Sequence, residues 1–314
     1  MTRTQHGILA MIGACVLWGL SPLLYKLLSH VPPLEVLSHR TLWSLVLFGI
    51  ILALQGRLNE VVAIFKTKAQ SLVMVLSAVV ISINWGLFIW AIQADHMVEA
   101  SLGYFIYPLL AVVLGAVLFK EKLGLVQVLS VMLAAGAVVF LAWGLGVVPW
   151  ISLALAVSFV TYGVIKKKLT IGPVVSVTTE VLLLLPLAMI WLWGVHFQGW
   201  VGFDGRAGGV FGSNWRDSLL ILLMAPVTAG PLVLFSYAAK RLGFATQGLI
   251  FYLNPTLQFG IAVLVFGEAI SRWHAIAFPV IWLALAIYSI NALHQERSRS
   301  KAAVKSATVS SVLK

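Results

Sequence analysis

Apolar runs of about 20 residues recur from the start of this chain to position 293, separated by short clusters of charged, Gly and Pro residues. A helical run of that length crosses the roughly 30 Å hydrocarbon core of a bilayer. The pattern predicts ten helices, over 7–29, 36–54, 71–93, 98–119, 125–143, 147–165, 174–193, 217–239, 244–266 and 273–293. The fold class expected is an all-α polytopic membrane protein. No stretch between the runs is long enough for a separate soluble domain. Composition agrees: 61% of the 314 residues are hydrophobic and 10% are charged, more apolar surface than a soluble chain of this size can hide.

The net charge of +11 raises nucleic acid as a partner, but its distribution argues against it. With the N-terminus in the cytoplasm, sixteen of the 21 Lys and Arg residues fall on the inner side, including the Lys166-Lys167-Lys168 run. The positive-inside rule therefore favours both termini in the cytoplasm. The partners expected are membrane lipid and a small-molecule solute. The single cysteine, Cys15, excludes an internal disulfide framework and a cysteine-rich metal site. Ile12-Gly13-Ala14-Cys15 looks loosely like a lipoprotein cleavage box, but the apolar run continues past it, so Cys15 reads as a small buried residue of the first span.

Shifted by 147 residues, 101–121 lies over 248–268 without a gap. Leu102 meets Leu249, Pro108 meets Pro255, Phe119 meets Phe266 and Glu121 meets Glu268. The expected organisation is one five-helix repeat over 1–146, a second over 147–293, and a basic disordered cytoplasmic tail over 294–314. An odd number of spans per repeat inverts the second copy relative to the first, an arrangement that transporters use for alternating access.

Pro108 and Pro255 both fall near the predicted midplane, and each leaves the carbonyl four residues earlier without its helical donor. Paired helix breaks at that depth point to a solute site. The residues expected to line the cavity are Asn84, Trp85, Tyr104, Tyr107, Phe251, Tyr252 and Asn254. Each polar one could instead make an interhelical hydrogen bond worth roughly 1 kcal/mol. Gly103 and Gly260 would permit close helix approach.

Ionisable residues within spans are costly and face protein or water. Lys26 is near a span end and is expected to snorkel, and His39 to reach a headgroup. Arg40 and Glu99 lie at similar depth, so the expectation is an Arg40–Glu99 pair, either a structural bridge or an ion-coupling pair, with Asp95 as a competing partner. Glu180, about two turns into the seventh span, is the third charge or coupling candidate. HExxH, Walker and GxSxG motifs are missing, and no Cys/His set has metal spacing. No catalytic residue, cofactor or metal is expected.

The run EASLGYFIYPLL (99–110), preceded by NWGLFIWAIQADHMV and followed by LFKEKL, resembles the hallmark of RarD-type permeases in the EamA group of the drug/metabolite transporter superfamily. FYLNPTLQFGIAVLVFGE (251–268) is similar to their second-half counterpart, and EVLSHRTLW (35–43) to the start of their second span. The resemblance covers about 1–295 and implies ten helices in two inverted repeats, a multi-pass location in the bacterial inner membrane, and a permease with no catalytic residues. Related transporters export amino acids or metabolites. The function expected is thus secondary transport by alternating access, exporting a small organic metabolite, amino acid or drug-like solute. The alternatives are a membrane-embedded enzyme acting on lipid or isoprenoid, and a non-transporting membrane sensor.

Overall fold

The structure is a computed structural model that describes residues 3–120, 123–146, 149–284, 286–287 and 290–291. Glu121 and the expected tail over 294–314 lie outside the described residues. The helices are α1 (Arg3–Leu27), α2 (Pro33–Leu54), α3 (Leu58–Ile64), α4 (Lys68–Gln93), α5 (Met97–Phe119), α6 (Leu125–Leu145), α7 (Trp150–Lys168), α8 (Pro173–Phe197), α9 (Trp215–Ala239), α10 (Phe244–Phe251) and α11 (Leu253–Leu264). A further helical stretch covers 272–284. Among the described residues, eight helices are long and apolar enough to cross a membrane: α1, α2 and α4 to α9.

Local chemistry sets the ends. Pro33 and Pro173 stand at the starts of α2 and α8, where a missing N–H costs nothing. Asn214 caps α9 by accepting from the Asp217 amide at 2.8 Å. Gly146, at φ +67°, closes α6 in the left-handed conformation. The outward faces carry residues such as Leu54, Val139, Leu187 and Leu264, whereas Ser77, Asn84, Thr179 and Gln258 are buried. This reversal of the soluble pattern fits a bundle whose solvent is lipid and whose helices are joined by polar contacts.

The structure departs from the sequence pattern in three places. A short helix, α3, precedes α4. The expected span over 244–266 is two helices, separated at Tyr252. Pro255 lies in the first turn of α11, where the ring's lost N–H suits a helix start. Pro108, in contrast, lies inside the continuous helix α5. It is therefore not a helix break, which corrects the expected symmetric pair. Residues 101–109 of α5 are all buried, and packing on every side tolerates the ring without unwinding the turn.

Contacts divide the chain into two compact units, Met1–Leu110 with Pro149–Ala269, and Ala111–Val148 with Ile270–Lys314. In the first, α1 packs on α9 and α11, α2 on α8 and α9, and α4 on α7 and α8. Gly103 brings α5 against α7: a Cβ there would meet the Ser152 carbonyl oxygen at 2.7 Å. Among the described residues nothing lies within 4 Å of a Cβ built on Gly260, so no close approach is made there. In the second unit, Trp273 lies against Phe140 and Trp143, with ring centroids at 5.1 and 5.9 Å, over the bare face of Gly144.

Candidate functional site

Helices α1, α2, α4, α5, α7, α10 and α11 of the first unit each send side chains to one cavity. Its volume is about 30 Å³, room for a water or two and not for an organic solute. Its apolar wall is built of Trp18, Trp85, Phe88, Phe159 and Phe251. The rings interlock: Phe159 and Phe251 lie 5.1 Å apart, Trp18 and Phe159 5.7 Å, Phe88 and Tyr104 5.4 Å. Such contacts hold large rigid surfaces in a fixed shape.

Polar groups enter this aromatic box at few points. Asn84 of α4 donates to the Leu155 carbonyl at 3.0 Å and to Ser158 Oγ at 2.9 Å, and its Oδ1 accepts from the Tyr104 hydroxyl at 3.1 Å. It therefore ties α4, α5 and α7 together as well as lining the cavity. Asn254 accepts from Gln258 Nε2 at 3.1 Å, and Gln258 Oε1 is buried without a hydrogen-bond partner among the described residues.

Arg40 of α2 also lines the cavity. Its guanidinium carbon lies 3.6 Å from the Trp85 ring centroid, a cation–π contact. Nη1 reaches the Tyr25 hydroxyl at 3.5 Å, and buried Nε and Nη2 have no hydrogen-bond partner among the described residues. The expected Arg40–Glu99 pair does not form. Glu99 is on the half-exposed first turn of α5 and pairs with His96 one turn earlier, at 3.0 Å. Asp95 pairs with Lys26, not with Arg40. The helix register directs Glu99 to the rim while Arg40 points into the bundle.

Of the other expected cavity residues, Trp85, Tyr104, Phe251 and Asn254 line it with Asn84. Tyr107 stands behind Phe251, with ring centroids 4.5 Å apart, and Tyr252 lies near Phe105 at 6.1 Å; neither is in the wall.

Glu180 belongs to a second polar cluster that joins α4, α7 and α8. Its carboxylate meets Lys166 Nζ at 2.6 Å and accepts from Ser77 Oγ at 2.5 Å and from the Tyr162 hydroxyl at 3.2 Å. Lys166 also donates to Ser176 Oγ at 2.5 Å. The sequence pattern counts Lys166 among the solvated basic residues; the structure buries it to 2% exposure. Its position in the last turn of α7, one turn after Tyr162 on the same face, is the only hint the chain offers. Glu35 and His39, four residues apart on α2, are likewise buried, and His39 does not reach a headgroup. The connection over 209–211 covers them.

Residues 5–143 match the EamA-like transporter family. Protein RarD of Salmonella typhimurium is 36% identical over 95% of this chain and 99% of its own length. The chain is a RarD-type permease of the EamA family. An uncharacterized transporter of Vibrio cholerae is 39% identical over 92% of this permease and 93% of its own length. A protein solved by crystallography superposes on the permease with a TM-score of 0.62 at 19% identity, covering 91% of this chain and 98% of its own. At that identity the likeness is one of fold. The family and the Vibrio relative bear the names of transporters, not of enzymes, and the apolar helices make the chain a multi-pass membrane protein.

Proposed function

We propose that this permease is a secondary transporter of the bacterial inner membrane, exporting a small organic solute with an anionic group and an apolar body by alternating access. The observation that carries the reading is Arg40: a buried guanidinium with two nitrogens that have no partner among the described residues, held on Trp85 at the wall of an aromatic cavity. A buried cation without a counter-charge is expensive, and a carboxylate or similar anion supplies both charge and acceptors. The rings around it match an apolar body. The cavity is too small for the solute, so the conformation described is a closed one, and transport requires the helices to part.

Ten spans in two inverted repeats, 1–146 and 147–293, give that motion a mechanism. The packing pairs support it. Replacing each helix by its counterpart turns the α1–α9 pair into α7–α4, and α2–α9 into α8–α4, while α2–α8 maps onto itself. On the positive-inside orientation, both termini are cytoplasmic and Glu180 with Lys166 lies toward the cytoplasm. An imposed pH gradient or an exchanged solute drives the cycle, with Glu180 the protonatable group inside the bundle and Glu99 at the opposite rim.

Metabolite profiling of cells with and without the permease, followed by flux into vesicles under an imposed pH gradient, tests the reading. The solutes that differ should be organic anions, and Arg40→Gln should abolish their flux while the protein still inserts. Cationic solutes, or wild-type flux through Arg40→Gln, would sink it.

A further inference from the structure

We propose that Glu35, His39 and His196 form a binding site for a divalent transition-metal ion, with zinc as the ion whose ligand preferences fit. The site is away from the central cavity and independent of the transport reading. Glu35 and His39 stand one turn apart on α2, so their side chains share a face. His196 is in the last turn of α8, the helix on which α2 packs. One ligand atom from each of the three lies within 4.8 Å of the others.

The three side chains bring more acceptors than donors. Glu35 is fully buried; its Oε2 accepts from the Gly209 amide at 2.9 Å, and Oε1 from the amides of Val210 at 2.8 Å and Phe211 at 3.4 Å. Those bonds fix the carboxylate and occupy three of its roughly four acceptor sites, leaving a free lone pair on Oε2. His196 Nδ1 lies 3.0 Å from the Leu192 carbonyl oxygen, the shorter of the ring's two contacts, and we place the ring proton there. Nε2 then presents a lone pair, 3.3 Å from the Phe211 carbonyl oxygen, acceptor against acceptor. His39 is 4% exposed, and neither of its ring nitrogens has a hydrogen-bond partner among the described residues. Its Nε2 stands 3.9 Å from Glu35 Oε1. A carboxylate and two imidazoles thus converge where a cation satisfies all three, with the Phe211 carbonyl oxygen beside His196.

The donor set selects the class of ion. Two imidazoles and one carboxylate suit zinc and its neighbours, whereas magnesium and calcium favour oxygen ligands. The His196 Nδ1–H bond to a backbone carbonyl is the outer-shell contact that fixes a ligand's tautomer. Metal–ligand bonds of roughly 2.0–2.1 Å in a tetrahedron place ligand atoms about 3.3 Å apart, so the cluster closes slightly on binding. His196 is exposed and gives the ion an entry path. Bound there, the ion ties α2 to the end of α8, beside the 209–211 connection that Glu35 already holds.

The test titrates zinc into the full-length, chelator-stripped permease in detergent, following heat release and thermal unfolding. One saturable site is expected, with the unfolding midpoint raised as zinc exceeds its Kd. Magnesium and calcium should give no such shift. His196→Ala, a change at an exposed position, should weaken zinc binding at least tenfold, as should His39→Ala, and His196→Cys should restore it. His96→Ala should leave it unchanged. Absence of saturable binding to the unaltered permease, or full binding by His196→Ala, overturns the proposal. Because no readout is a transport rate, failure here leaves the central-cavity reading intact, and the reverse.

Discussion

Lys166 and Glu180 meet at 2.6 Å with both side chains almost completely shut away from solvent. The pair costs desolvation on both sides, which their mutual attraction and the bonds from Ser77 and Tyr162 offset. Removing either partner strands a buried charge. Glu180→Gln should therefore lower stability by about 3–5 kcal/mol, and Glu180→Gln with Lys166→Met should recover most of the loss. Thermal unfolding in detergent measures both. If Glu180 also couples transport, Glu180→Gln should remove the pH dependence of flux in vesicles; unchanged flux and pH dependence would rule out that role.

Arg40 should behave in the opposite way. Its guanidinium has an aromatic face and one long contact to Tyr25, and no carboxylate to release. Arg40→Met should leave the unfolding midpoint unchanged or raise it, yet remove solute flux. Arg40→Lys should not rescue flux, since an ammonium neither stacks on Trp85 nor offers a planar fork. A large loss of stability in Arg40→Met would mark the residue as structural.

Asn84 and Asn254 separate structure from transport. Asn84 makes three interhelical contacts, whereas the Asn254 side chain bonds Gln258 within its own helix. Asn84→Ala should cost about 1–2 kcal/mol and Asn254→Ala less. Both should reduce solute flux while membrane insertion is retained. Normal flux through both variants would remove the cavity from the transport path.

Gly103 tests the packing beside the cavity. Its missing Cβ lets α5 approach the Ser152 backbone, and Ser152 Oγ donates to the Glu99 carbonyl at 2.6 Å across the same contact. Gly103→Leu should wedge the helices apart and lower stability by about 1–3 kcal/mol or more, read as a fall in unfolding midpoint. Gly260→Ala, at a position facing open space, should be close to neutral.

The apolar period and the spacing of charged clusters were enough to predict a membrane helix bundle, because the bilayer makes helix length and hydrophobicity strong constraints. Asn84, Trp85, Tyr104, Phe251 and Asn254 could be chosen for the cavity from their polar or aromatic character within spans. Which face each helix turns inward was not legible. The two faces of a helix differ little in polarity when lipid and protein interior are both apolar, so Glu99 could not be told from an inward group nor Lys166 from a solvated one.

By itself the sequence determined that the chain is a polytopic helical membrane protein, where the eight long apolar helices start and stop to within a few residues, and which family motifs it bears. Helix packing alone decided that Glu180 pairs with Lys166, that Arg40 meets Trp85 instead of Glu99, and that Pro255 stands at a break while Pro108 does not. The reason is the range of the forces. Burial in a bilayer acts on each segment separately and is written along the chain, whereas pairing of buried charges acts over a few ångströms between side chains on different helices, and exists only once the helices have met.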